Sequence, residues 1–102
     1  MSTLHTINKS PFERSAFASC LRHLQPGDAV LAIEDGVVGL RKASSFAASL
    51  AETAKDHALY VLGPDLAARG LSADDLVDGV TVVDYGGFVD LAVEHQRTQA
   101  WL

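Results

Sequence analysis

The 102-residue sequence has a single cysteine, Cys20, and only 8 lysine and arginine residues against 13 acidic ones. One cysteine cannot form an internal disulfide, which excludes a disulfide-stabilised secreted domain. The cations occur singly except at Arg41 and Lys42, and the formal net charge is −5. Without a basic stripe, the sequence predicts no direct, salt-dependent binding to nucleic acid.

The chain also lacks long apolar runs. No stretch of about 18 apolar residues occurs, and residues 1–5 have neither the basic start nor the apolar core of a signal peptide. We therefore expect a cytoplasmic protein that does not enter a membrane. Apolar residues nevertheless make up 48% of the chain. A small domain has a large surface for its volume, so part of this apolar content is expected to contact partner proteins.

Motifs for phosphate, zinc and hydrolytic chemistry are missing. Residues 8–11, after the first predicted strand, read Asn-Lys-Ser-Pro instead of a glycine-rich phosphate loop. No GxSxG or Ser-His-Asp pattern supports hydrolysis. The histidines lie on separate predicted elements without zinc-ligand spacing to the cysteine: His5, His23, His57 and His95. The sequence thus predicts no cofactor and no metal.

Three aspartates, Asp35, Asp65 and Asp84, follow predicted strands, where ligands gather in parallel sheets. Because hard cations prefer oxygen ligands, they could be interpreted as a magnesium site. Each aspartate also suits an ordinary turn or helix cap, and we favour this second interpretation.

Short apolar runs alternate with helical patterns along the whole chain. The predicted strands are 4–7, 29–33, 58–62 and 80–83, and the predicted helices are 10–23, 40–55, 63–70 and 88–96. This alternation predicts an α/β fold, with a small open parallel sheet of four to five strands and helices on both faces. We expect a single domain over residues 1–102. The segment 98–102 could add an edge strand or dock a partner.

The start of the first predicted helix has a specific signal. Ser10 can cap the free N–H groups, Pro11 suits the first helical position, and Glu13 completes a capping box. The sequence Gln-Pro-Gly at 25–27 ends the helix after about His23.

Cys20 is the residue whose chemistry the pattern leaves open. Its position late in the predicted helix disfavours activation of a thiolate by the helix dipole, and His23 is the nearest candidate cation. At about 100° per residue, Cys20 falls within an apolar stripe of Phe12, Ala16, Phe17, Leu21 and Leu24. The residues alone allow either a buried core cysteine or a reactive thiol.

Four segments, taken in order, have a pattern specific enough to suggest a family. They are LHTINKSP at 4–11, GDAVLAIEDGV at 27–37, YVLGPDLAARGL at 60–71 and VDYGGFVDL at 83–91. Together with His95 and Trp101, they resemble the DsrH/TusB family of small sulfur-relay subunits. The resemblance covers almost the whole chain.

The resemblance implies partner proteins. It implies a heterohexamer holding two copies each of this chain, a DsrE/TusD-like subunit and a DsrF/TusC-like subunit, which exchanges sulfur with a DsrC/TusE-like carrier. The main persulfide cysteine then belongs to the DsrE/TusD-like subunit. DsrH-type members serve oxidation of stored sulfur, whereas TusB-type members serve 2-thiouridine formation in tRNA without themselves binding RNA.

Cys20 bears on this choice, because DsrH-type chains carry a cysteine on the first helix and TusB-type chains commonly lack one. On the DsrH interpretation, Cys20 is a candidate persulfide site: its thiolate attacks the outer sulfur of a donor persulfide and later passes it to an acceptor thiol. The alternatives are a TusB-type subunit and a purely structural interaction subunit.

Overall fold

A computed structural model describes residues 2–10, 12 and 15–102. Within these residues the strands are β1 (Thr3–Ile7), β2 (Ala29–Ala32), β3 (Ala58–Leu62), β4 (Val80–Val83) and β5 (Arg97–Trp101). They form one parallel sheet in the order β4-β3-β2-β1-β5. This confirms the predicted α/β class and decides the question of the tail, which pairs with β1 as an edge strand.

The helices connect successive strands. They are α1 (Ala16–Arg22), α2 (Ala47–Thr53), α3 (Gly63–Ala68) and α4 (Tyr85–Glu94), and 3-10 turns cover Glu34–Leu40 and Ala73–Asp75. None of the helices in the described residues is long and apolar enough to cross a bilayer. The proposed caps Pro11 and Glu13 lie outside the described residues.

The predicted helix 40–55 is wrong in its first part. Residues Glu34–Leu40 form a 3-10 segment, and the α-helix begins only at Ala47. Arg41 has an extended backbone and forms an isolated antiparallel bridge with Leu76. This long-range pairing prevents a continuous helix, although the apolar spacing of the segment is helical.

The helix predicted at 88–96 begins earlier, at Tyr85. The cause is an N-cap that the apolar pattern does not show. The Asp84 carboxylate accepts a hydrogen bond of 2.8 Å from the backbone N–H of Gly87.

The core lies on both faces of the sheet, as expected where side chains alternate along buried strands. The larger cluster, against α1, α2 and α3, includes Phe17, Cys20, Val30, Leu50 and Val61. The smaller cluster, under α4, comprises Leu4, Ala29, Leu31 and Leu91, with partly buried residues around it. In the part of the chain that the structure describes, several helical segments thus cover one face and a single helix covers the other.

Candidate functional site

Cys20 lies in α1 with its side chain directed into the larger core. Its exposed fraction is 0%, equal to that of Phe17 one turn earlier in the helix. The apolar stripe therefore predicted the direction of this side chain correctly.

The environment of Cys20 opposes formation of a thiolate. Burial, reinforced by the negative charge of Asp28, raises the pKa of the thiol from 9.0 to about 12. His23, the candidate activating cation, instead donates from Nδ1 to the backbone oxygen of Ser19 at 2.6 Å. Because the thiolate is the nucleophile in sulfur exchange, this geometry favours Cys20 as a core residue within the single chain.

A buried polar network lies at the amino ends of β1 and β2. Asp28 is 5% exposed. Its carboxylate accepts hydrogen bonds from Thr3 N at 3.0 Å, Gln25 N at 3.0 Å and His5 Nε2 at 2.8 Å. These bonds join the start of β1, the turn before β2 and the His5 ring.

Trp101 completes this network from β5. Its indole Nε1–H donates to His5 Nδ1 at 3.0 Å. Since Nδ1 accepts this bond, the proton of a neutral His5 resides on Nε2 and points at Asp28. The Trp101 ring also lies 5.8 Å from that of His23, centroid to centroid.

The pKa of Asp28 follows from these contacts. Burial alone would raise it, but hydrogen bonds from His5, Gln25 N and Thr3 N, with electrostatic attraction to His5, together bring it below its ordinary value of 3.8. The ionised carboxylate is therefore the form that the fold stabilises.

This gives a pH-dependent prediction. A lowered pKa in the folded chain means that Asp28 stabilises the fold fully above its unfolded pKa, and that this stabilisation is lost as pH falls through the folded pKa. Asp28→Asn should lower the free energy of unfolding at pH 7 by about 2 kcal/mol, because the N–H₂ group of the asparagine would face N–H donors where the carboxylate accepts hydrogen bonds. Urea unfolding between pH 7 and 2 measures both effects, because the loss on acidification falls below the ordinary pKa of 3.8.

Asp56→Asn, at an exposed turn position, is the matched control. It should behave like the wild type across this pH range. Equal loss of stability on acidification in the wild type and in Asp28→Asn would contradict the role assigned to Asp28.

The aspartates at the carboxyl edge have structural partners. The Asp65 carboxylate accepts a hydrogen bond of 2.7 Å from the backbone N–H of Glu34. This bond holds Glu34 in its unusual conformation, with a positive φ of 48°. Asp35 forms an ion pair with Arg69 at 2.8 Å, and Asp84 caps α4 as described above. Among the described residues, no group of three His, Cys, Asp or Glu side chains is placed to hold a metal ion.

A family model described as "DsrH like protein" matches residues 9–98. The chain belongs to the DsrH/TusB family. Curated relatives of this DsrH/TusB chain include Protein TusB of Erwinia tasmaniensis, 41% identical, and of Shigella flexneri, 38% identical. Each match covers 96% of this chain and 99% of the relative. Protein TusB of Escherichia coli K12 is 36% identical over the same shares of both chains.

Solved structures confirm the fold of the DsrH/TusB chain. A Methanobacterium thermoautotrophicum protein of unknown function, MTH1491, superposes with a TM-score of 0.81 at 24% identity, covering 97% of both chains. The ychN protein of E. coli gives a TM-score of 0.76 at 17% identity, covering 98% of this chain and 99% of its own. At these identities the likeness concerns architecture alone.

Proposed function

We propose that this chain is a TusB-type subunit of a cytoplasmic sulfur-relay complex, which it serves by presenting surfaces to partner subunits rather than by its own thiol. Its partners are a DsrE/TusD-like and a DsrF/TusC-like subunit, with two copies of each chain in a heterohexamer. The single observation behind the proposal is the burial of Cys20 in the core of a DsrH/TusB chain.

The choice of pathway rests on two points. Eight curated relatives at 34–41% identity are each named Protein TusB. The feature that favoured DsrH was the cysteine on the first helix, and its thiol is fully buried with a pKa of about 12. Thiolation of tRNA by the complex therefore accounts for more of the observations than oxidation of stored sulfur.

The test is a strain that lacks this chain, complemented with the wild type or with Cys20→Ala. We expect 2-thiouridine in tRNA, measured by mass spectrometry of digested nucleosides, to be lost in the deletion and restored by both. Cys20→Ala should also co-purify with both partner subunits in wild-type amounts. Normal thiolation in the deletion strain would refute the proposal.

The second candidate is a DsrH-type subunit that takes persulfide sulfur on Cys20 and passes it to a DsrC-like carrier. The presence of a thiol on the first helix favours it. Incubation of the assembled complex with a sulfur donor, followed by intact-mass measurement, distinguishes the two candidates. A gain of about one sulfur atom on this chain, absent in Cys20→Ala, would establish the DsrH-type role.

A further inference from the structure

Helix α4 has an apolar stripe that no other part of the described structure covers. Tyr85, Val89 and Val93 are 60%, 62% and 79% exposed. They are spaced four residues apart, so they line one side of the helix. The opposite side of the helix buries Leu91 against the sheet. Exposed apolar residues aligned in this way differ from the scattered single ones that are normal on a surface.

The sheet on either side of α4 is also uncovered. A helix is about 10 Å wide, whereas five strands spaced about 4.8 Å apart span roughly 19 Å between the outer strand axes. By register, Thr98 on β5 lies beside Leu4 on the α4 face, and Thr81 on β4 lies beside Tyr60 on that face. Both threonines are exposed. One helix thus leaves strips of this face open at both edges.

The charges on α4 restrict what can cover it. The helix and its cap contain the acids Asp84, Asp90 and Glu94 and no lysine or arginine. Asp90 and Glu94 are exposed and border the stripe. A partner that desolvates the stripe cannot place acids at this border, since like charges across an interface are strongly unfavourable, and lysine or arginine there would be complementary to it.

A second copy that pairs through its own α4 does not satisfy this condition. An antiparallel pairing of two α4 helices about a two-fold axis at Val89 places Glu94 of each copy opposite Asp84 of the other. Because a two-fold contact repeats every residue pair, the repulsion between Glu94 and Asp84 occurs twice in it. The net charge of −5 on each copy adds to the repulsion.

We infer that α4 and the open sheet beside it dock a different protein subunit, one with an apolar surface bordered by lysine or arginine. This inference rests on the proposed function and names the surface and the charge of the partner that it requires. It also accounts for the exposure of Tyr85, Val89 and Val93, three apolar side chains aligned on one helix.

The test uses the full chain co-expressed with the DsrE/TusD-like and DsrF/TusC-like subunits. Val89→Asp and Val93→Asp should each weaken assembly at least tenfold, measured by co-purification and by the affinity of the isolated chain for its partners. Glu94→Lys should weaken it too, and added salt should weaken wild-type assembly. Ala48→Asp, at an exposed position of α2 on the opposite face of the sheet, adds the same charge away from α4; it is the control and should assemble normally.

The outcomes are separable. If the wild type assembles and the α4 variants assemble equally well, the inference is overturned while the proposed function stands. If the wild type binds neither subunit, the proposed function fails. Self-association of the isolated wild type that Val93→Asp abolishes would assign the surface to a second copy and overturn the inference. Unchanged circular dichroism shows that a variant is folded.

Discussion

The thiol of native Cys20 should react with iodoacetamide at least about a thousandfold more slowly than the same thiol in denaturant. The pKa of about 12, against 9.0 for an exposed thiol, alone lowers the thiolate fraction near neutral pH by about that factor. The sulfur is also fully buried, so reagent reaches it only when the chain opens locally or globally. Alkylation followed by mass spectrometry at pH 8 gives both rates.

Arg22→Cys in a Cys20→Ala background provides the control for this prediction. Arg22 is an exposed residue in the same helix, so its replacement thiol should react at an ordinary rate. Rapid native alkylation of Cys20 would contradict its placement in a closed core and would favour the persulfide role.

The same measurement in the assembled complex separates two further cases. Partner subunits that open a path to the sulfur would raise the alkylation rate of Cys20 above that of the isolated chain. A rate that stays low leaves Cys20 as a packing residue, and Cys20→Ala then affects stability alone. Loss of the small buried side chain should cost about 1 to 2 kcal/mol.

Gly36→Ala should destabilise the fold by about 3 kcal/mol or more. A Cβ atom at this position would overlap the backbone oxygen of Ile7 and lie 2.9 Å from the carbonyl carbon of Ile7. That oxygen already accepts a 2.9 Å hydrogen bond from Ile33 N, so the end of β1 cannot retreat without losing it. The loss of stability arises because the added methyl group would clash with backbone atoms, and rotating a side chain cannot relieve such a clash.

Gly86→Ala makes the same chemical change in an open position. The added methyl would contact only the Asp84 carboxylate at 3.4 Å, an ordinary distance. Because Gly86 lies within α4, alanine should raise the free energy of unfolding by up to about 1 kcal/mol. Chemical denaturation of both variants compares the two effects, and similar values for both would contradict the close approach at Gly36.

β2 and β3 were predictable because each is a continuous run of mostly buried apolar residues. β1 and β4 were predictable because they are short runs rich in β-branched residues. β5 was not, because Arg97–Trp101 is a largely polar, exposed segment without strand periodicity. It is a strand because β1 offers an unpaired edge to it, and because the Trp101 indole reaches His5. The cause of strand formation here is the edge of β1, and the sequence of residues 97–101 does not indicate it.

The candidate site shows the same division. The burial of Cys20 follows from the helical spacing of its neighbours, which a single element determines. The network of Asp28, His5 and Trp101 cannot be predicted from local spacing. Its hydrogen bonds join residues that are 23 positions apart in one case and 96 positions apart in the other. Only the strand order, which no local pattern specifies, brings these side chains together.

The position of β5 also has a consequence for how the chain folds. Its pairing with β1 joins residues 3–7 to residues 97–101, the largest loop closure in the sheet. Until that closure, β1 is an open edge whose unpaired N–H and C=O groups can recruit another chain. We therefore expect late docking of β5 to limit the folding rate. Aggregation during refolding should rise when Trp101 is replaced, because the edge then stays open longer.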